Sequence, residues 1–233
     1  MLRRSAPSVA MTEKTESAEF EPLWKQWERK SQMNGERSTV YNERGERYKG
    51  SWKNNKRHGK GIFFYKNGSR YEGEWKDDKR DGLGTLYVLV ADEQKLRVRY
   101  SGAWVDDKQC GIGVYYNAKG ECFNGDWLRG KRHGKGRQTY GGRPVDGYGG
   151  DVYQGDWMDD KRCGYGVMTY ANGDLFEGEW LDDKKHGKGF YTYRQKQKRY
   201  DGIWKEGLPT SGTYTDLSGD ASATLPPLEA VST

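Results

Sequence analysis

Residues 71–84 read Tyr-Glu-Gly-Glu-Trp-Lys-Asp-Asp-Lys-Arg-Asp-Gly-Leu-Gly. The first five alternate with period two, which places Tyr71, Gly73 and Trp75 on one face of a β-strand. Lys76–Arg80 is a charged, solvated loop. Gly82-Leu83-Gly84 and the apolar residues after it begin a second strand. This unit recurs along the chain. The aromatic-x-Gly-x-Trp pentad appears as Tyr48–Trp52, Tyr71–Trp75, Tyr100–Trp104, Phe123–Trp127, Tyr153–Trp157, Phe176–Trp180 and Tyr200–Trp204. Successive starts are 23, 29, 23, 30, 23 and 24 residues apart, and seven of the nine Trp occupy this one slot. Such a fixed period is the mark of a repeat architecture.

After each of the first six pentads comes a small or polar residue and then Gly-x-Gly, beginning at His58, Asp81, Cys110, His133, Cys163 and His186. An apolar stretch follows, such as Ile62–Tyr65, and often a turn such as Asn67-Gly68, Lys119-Gly120 or Asn172-Gly173. Asn-Gly between two strand-like runs is a strong hairpin signal, because such turns call for φ > 0 at both central residues. Glycine weakens a strand, so its regular recurrence opposite Trp implies aromatic rings lying over glycines of neighbouring strands. The expectation is all-β: an elongated single-layer antiparallel sheet of stacked hairpins with flexible tails. Fourteen strands at about 4.8 Å would span roughly 65–70 Å.

The composition agrees. Only 33% of the 233 residues are hydrophobic and 32% are charged, and the mean hydropathy is −1.12. Yet 14% are aromatic, including 17 Tyr, which a disordered chain lacks. A few large rings supply the burial. Net charge is +6, but 34 acids are mixed among 40 bases, so acidic partners are permitted and not required. Three Cys give no disulfide framework and point to a reducing, cytoplasmic setting. No apolar run reaches the ~18 residues of a membrane span, and the N-terminus has no apolar signal-peptide core.

The segmentation is a disordered tail at 1–22, a degenerate capping half-repeat at 23–47, and repeats at 48–70, 71–99, 100–122, 123–152, 153–175 and 176–199. A partial repeat at 200–215 and a disordered tail at 216–233 follow. Repeats 71–99 and 123–152 carry extra residues near Val88–Arg99 and Gly141–Val152, read as extended hairpin tips. In the half-repeat, Asn34-Gly35 stands where His58-Gly59 stands one repeat later, as expected of a worn unit that shields an open edge.

Catalytic chemistry finds no support in the pattern. His58, His133 and His186 share one repeat slot with Asp81, Cys110 and Cys163, so the slot is a turn position and not a ligand set. No Cys-x-x-Cys occurs, and Cys110, Cys122 and Cys163 read as structural thiols and not nucleophiles. The pairs Asp77-Asp78, Asp106-Asp107, Asp159-Asp160 and Asp182-Asp183 lie in repeated loops and do not flank one substrate. Gly-x-Gly is not followed by a phosphate-binding helix. Outside 48–204 only 47 residues precede and 29 follow. No enzyme, cofactor or metal is expected.

Two interaction surfaces are expected. One is a protein-binding groove lined by Tyr48, Trp52, Tyr71, Trp75, Tyr100, Trp104, Phe123, Trp127, Tyr153, Trp157, Phe176, Trp180, Tyr200 and Trp204, since Tyr and Trp are enriched at binding hot spots. The other is a set of basic loops for an anionic partner: Lys53, Lys56 and Arg57; Arg129, Lys131 and Arg132; Lys196, Lys198 and Arg199. These suit an acidic protein surface or anionic membrane lipid. Nucleic acid is disfavoured, because the acids in Tyr71–Trp75 and Phe176–Trp180 would repel phosphate.

On these motifs the chain resembles the MORN (membrane occupation and recognition nexus) repeat family, whose unit of about 23 residues begins Tyr-x-Gly-x-Trp and carries Gly-x-Gly about ten residues on. The resemblance covers 48–204. The lead-in Leu23–Tyr48 is similar to that of small animal proteins built from these repeats alone. The resemblance implies a twisted sheet with an aromatic groove and a non-enzymatic scaffold or adaptor. It also implies protein partners, cytoskeletal or axonemal, in a cilium or sperm flagellum, with a homodimer as one arrangement. The cytoplasmic face of vesicles or membranes is the alternative location. The longer repeats at 71–99 and 123–152, and Ser211-Gly212-Thr213 with its single glycine, depart from the pattern.

Overall fold

The computed structural model describes residues 22–90, 92–141 and 150–218. Both expected tails, apart from Pro22 and Asp216–Ser218, and most of the second insertion lie outside these residues. One helix, α1 (Leu23–Met33), precedes fifteen strands. They are β1 (Gly35–Tyr41), β2 (Arg47–Lys53), β3 (Lys56–Phe64), β4 (Arg70–Lys76), β5 (Lys79–Val90), β6 (Lys95–Val105), β7 (Lys108–Tyr116) and β8 (Cys122–Leu128). Then come β9 (Lys131–Thr139), β10 (Val152–Met158), β11 (Lys161–Thr169), β12 (Leu175–Leu181), β13 (Lys184–Tyr193), β14 (Lys198–Lys205) and β15 (Leu208–Asp216). They form one sheet in chain order, each strand antiparallel to the last.

The fifteenth strand beyond the expected fourteen is β1. Gly35 pairs with Trp52 as Gly59 pairs with Trp75, so β1 takes the place of a repeat's second strand. The residues before it are helical. Leu23–Met33 contains neither glycine nor a β-branched residue, and Pro22 precedes it directly, a combination that favours helix. The first insertion extends the β5–β6 hairpin, with Val88 opposite Arg97 and Val90 opposite Lys95.

Two kinds of turn alternate. Within repeats the two-residue loops have both residues left-handed: Asp77 and Asp78 at φ 48° and 71°, Asp106 and Asp107 at 48° and 65°, Asp159 and Asp160 at 49° and 71°. These are type I′ hairpin loops, and Asp tolerates that region better than most residues. The aspartate pairs are therefore the residues that need φ > 0 twice. Between repeats the expectation for Asn-Gly is corrected. Only Gly68 of Asn67-Gly68 is left-handed (φ 83°), and its N–H donates to Tyr65 O at 3.0 Å. This is a type I turn closed by a glycine bulge, a three-residue hairpin loop.

The core is a single file of rings. The pentad Tyr or Phe lies flat over the second glycine of Gly-x-Gly on the following strand. A Cβ on Gly113 would fall inside the Tyr100 ring, and one on Gly166 inside the Tyr153 ring. Each ring then meets two indoles edge to face: Tyr71 meets its own Trp75 at 5.2 Å and 90° and the next repeat's Trp104 at 5.5 Å and 87°. The same two contacts recur at Tyr100, Phe123, Tyr153 and Phe176. Such pairs add about 0.5–1.5 kcal/mol beyond burial. The indole N–H reaches back to the glycine carbonyl of the previous repeat, Trp104 to Gly84 at 3.0 Å and Trp127 to Gly113 at 3.0 Å.

Two substitutions separate ring from hydroxyl. Gly113→Ala inserts a methyl into space held by Tyr100 and should cost about 1–3 kcal/mol, as overpacking does. Tyr100→Phe loses only the hydrogen bond to Ala103 O (2.9 Å) and, with Phe already at 123 and 176, should cost about 1 kcal/mol or less. Urea denaturation of both variants checks the order, and a Gly113→Ala as stable as wild type would contradict the ring-on-glycine account.

Candidate functional site

The ring file is covered from two sides. One cover is the row opposite the pentad aromatics: Phe63, Leu86, Tyr115, Gln138, Met168 and Tyr191. The other is a clasp that links each repeat to the next. Arg57 donates from its backbone N (2.9 Å) and Nε (3.1 Å) to Asp78 Oδ1, and from its other nitrogen to Asp78 O (2.7 Å). Its guanidinium lies 4.3 Å from the Trp75 ring centre. Arg80 holds Asp107 and covers Trp104 at 4.1 Å in the same way. Arg132 holds Asp160 over Trp157 at 4.3 Å, and Arg162 holds Asp183 over Trp180 at 4.4 Å. A guanidinium stacked on an indole and hydrogen-bonded at its edge uses both of its binding modes.

Four junctions depart from this scheme. Arg37 of β1 covers Trp52 at 4.7 Å and donates to Asn55 Oδ1 at 2.7 Å. Lys185 replaces arginine over Trp204 at 4.8 Å, and Gly207 stands in the aspartate's place, its N–H donating to Lys185 O at 2.9 Å. Gln109 replaces arginine at the third repeat, where Gly130 stands in the aspartate's place and donates to Gln109 O at 2.8 Å. At β15 the position belongs to Pro209, opposite Trp204. Proline has no N–H to offer a further aspartate.

The expected groove residues occupy the interior. Thirteen of the fourteen rings are only 0–7% exposed, and Trp52 is half-buried. They are the core of the array and not an open lining, because the opposite row and the clasp cations lie over them. The expected basic loops are likewise divided. Arg57 and Arg132 are clasp residues, Lys131 faces Asp159 at 3.7 Å, and Arg199 pairs with Asp201 at 2.7 Å over the Phe190 ring. Lys53, Lys56, Arg129, Lys196 and Lys198 remain exposed. Four of the nine charges are thus paired within the chain.

The remaining titratable groups suit structure. Among the described residues no three His, Cys, Asp or Glu side chains gather as a metal site. Burial pushes the Cys122 thiol up, and burial with the nearby Asp156 does the same for Cys163, so both are held in the less nucleophilic form. Lys185 is the most perturbed cation. Burial first, and the charge of Arg162 second, lower it to about 8, with the rings of Tyr170, Phe176, Tyr191 and Trp204 around its Nζ at 4.6–5.3 Å.

The clasp was the signal missed in the sequence, and the repeats themselves carry it. Arg57, Arg80, Arg132 and Arg162 each have an Asp in the next repeat's turn. Where Gln109 and Lys185 replace the arginine, the next turn has glycine.

An open file of hairpins joined ring to indole and arginine to aspartate defines a repeat protein of the hairpin-array class. The model of the MORN repeat matches residues 48–70, 71–87, 100–122, 123–142, 153–175, 176–197 and 200–210, more than half of the chain. The chain belongs to the MORN repeat family. It is similar to MORN repeat-containing protein 3 of Xenopus laevis, 50% identical over 46 residues, which is 20% of this chain and 19% of that protein. It is also similar to the human protein of that name, 58% identical over 41 residues, 18% of this chain and 17% of that protein. The aligned stretches thus span under a fifth of these relatives. Among solved structures, the SAS-4 TCP domain of Drosophila melanogaster aligns over 88% of this chain and 99% of that one. Its identity is 15% and its TM-score 0.34, too distant to carry an argument.

Two measurements probe the clasp and its exception. A double-mutant cycle with Arg132→Ala and Asp160→Ala should give a coupling near 1 kcal/mol, more than an ordinary surface pair, because the guanidinium is stacked as well as paired. Lys185 should make stability rise with pH. Its folded pKa (about 8) lies below the unfolded value of about 10.4, so between these the unfolded chain binds more protons. Urea midpoints should therefore climb from pH 8 toward 10 relative to Lys185→Met, and parallel profiles for the two proteins would refute the assignment. Subtracting the variant's profile removes the opposing slopes of the raised Cys and Tyr groups.

Proposed function

We propose that the protein is a non-enzymatic scaffold that holds other proteins along its sheet. The observation that carries this reading is the division of labour across the sheet. Most of one face is taken up in joining repeat to repeat. The opposite face leaves large apolar side chains in water at the positions between the paired glycines: Leu83 is 65% exposed, Ile112 72% and Tyr165 49%. Phe190 and Ile203 add to the same face at 38% and 40%. Apolar groups spaced along a stiff array offer several contacts at once to an extended partner. The resemblance favours partners in a cytoskeletal, axonemal or sperm-flagellar assembly, and a cytoplasmic location with it. Anionic lipid is the weaker reading, because Arg57, Lys131, Arg132 and Arg199 are already paired.

Crosslinking mass spectrometry on the protein isolated gently from its own cells tests this. Crosslinks should concentrate on a few cytoskeletal or ciliary proteins. The Leu83→Asp, Ile112→Asp variant should lose them while keeping its urea midpoint within about 0.5 kcal/mol of wild type, as surface changes do. Recovery only with acidic vesicles, and no protein crosslinks, would replace the scaffold reading with the lipid one.

A further inference from the structure

Every pentad tryptophan but one has a cation over its ring. Arg37, Arg57, Arg80, Arg132, Arg162 and Lys185 cover Trp52, Trp75, Trp104, Trp157, Trp180 and Trp204 at 4.1–4.8 Å. The Lys185 junction is informative, because its turn has lost the aspartate and the cation is still in place. Among the described residues Trp127 alone has none. The position that would supply it is Gln109, and the turn beside it carries Gly130.

A hollow of about 410 Å³ opens there, lined among others by Gln109, Tyr115, Glu121, Trp127 and Gly130, with the Tyr115 ring 5.9 Å from that of Trp127. That volume is at the small end of the ~300–1,000 Å³ of ligand pockets. Trp127 is 7% exposed, against 2–5% for the five later-repeat indoles in the same slot that carry a cation. We propose that this hollow is a receptor for the guanidinium of an arginine side chain supplied by a partner protein. The chain's own four arginine junctions show the seat such a group would take, stacked on the indole with hydrogen-bond acceptors at its edge.

The charges around the hollow fit that occupant. Arg132 on its wall is neutralised by Asp160 at 3.1 Å and also donates to Gln138 Oε1 at 3.1 Å. Among the charged residues that line the hollow, Glu121 is then the one without an ion pair, while Arg99, which is not a lining residue, donates to the Tyr115 hydroxyl at 3.4 Å. Glu121 Oε2 accepts from Asn117 at 2.5 Å and its Oε1 from the Gly141 N–H at 3.3 Å, which holds the carboxylate in place. A phosphate or carboxylate ligand would meet Glu121 and be repelled. An ammonium could enter, but a planar guanidinium stacks on the indole and still presents its N–H edge to Gln109 and Glu121. The inference rests on the scaffold reading and names what one point of the array takes. The apolar face carries that reading separately.

The test uses the full chain labelled with ¹⁵N and the probe peptide acetyl-Gly-Arg-Gly-amide, followed by the seven pentad indole N–H signals. The Trp127 signal, assigned by its loss in Trp127→Phe, should shift and saturate while the other six stay. Replacing the probe's arginine by isosteric, uncharged citrulline should weaken binding at least tenfold. The variant Gln109→Arg, Gly130→Asp rebuilds the missing clasp, since aspartates in equivalent turns adopt the same left-handed region. It should raise the urea midpoint and abolish the Trp127 shift.

Three results would overturn the proposal: no Trp127 shift at millimolar probe, equal shifts of all seven indoles, or undiminished binding by the rebuilt variant. A fourth is a Trp127 response that appears only when Arg143→Gln is introduced. That would make the chain's own Arg143, outside the described residues, the occupant. Loss of the indole response with crosslinks intact would end this inference and leave the scaffold reading standing, whereas loss of crosslinks with the indole response intact would end the scaffold reading and with it the partner protein as the source of the arginine.

Discussion

A sheet one layer thick has no second layer to bury its side chains against, and the ring lying on glycine is how this chain manages without one. The pentad aromatic can lie flat only because the glycine of the next strand has no Cβ. Lying flat, it brings its edge and face within reach of two indoles, its own and that of the following repeat. The contact is thus local and long-range at once. Without the glycine the ring would be pushed up, the two T-shaped contacts would open together, and the indole N–H would leave its carbonyl. The low hydrophobic content follows from this geometry. Two large rings per repeat bury what a layered domain would bury with many aliphatic residues.

The clasp solves a different problem. Type I′ turns need two left-handed residues, and Asp supplies them at modest strain. The second Asp then has a carboxylate fixed in place, and the arginine of the preceding repeat uses it as an anchor while its guanidinium lies over the next indole. One residue pair serves the turn, the inter-repeat contact and the cover of the core. Coupling between neighbours is what makes a linear array cooperative, and here it has two components, one aromatic and one ionic. They can be lost separately, as the Gln109–Gly130 junction shows: the aromatic contact from Tyr100 to Trp127 persists at 5.4 Å where the clasp is gone.

What the sequence disclosed and what it hid follow the same division. Period-two alternation and the fixed glycine spacing specify strands, pairing order and which residues share a face, so the single antiparallel sheet was legible at Tyr71–Trp75 alone. Openness of that face was not. Aromatic side chains at regular intervals look the same in sequence whether they line a groove or fill a core, and the distinction lies in what crosses over them. The covers come from residues with independent explanations: arginines in a charged loop, aspartates in a turn, and a variable row from Phe63 to Tyr191. The helix at Leu23–Met33 was hidden because the repeat pattern was carried backwards past Asn34-Gly35, where it holds, into a segment with no glycine, where it does not.

A repeat protein has reason to keep imperfect junctions. A perfect array presents the same surface at every step, so a partner that recognises one repeat recognises all of them and has no fixed register. Discrimination needs a difference between otherwise equal sites. The third and fourth repeats supply one: a missing cation, a glycine turn, Gln138 where the covering row is otherwise apolar or aromatic, and the insertion that follows Tyr140, all within one period. Lys185 marks a second point, a cation kept without its anchor. On a sheet of fixed register such local differences would set the docking of the proposed partner, because a single anchored side chain would fix where every other contact along the exposed apolar face must fall.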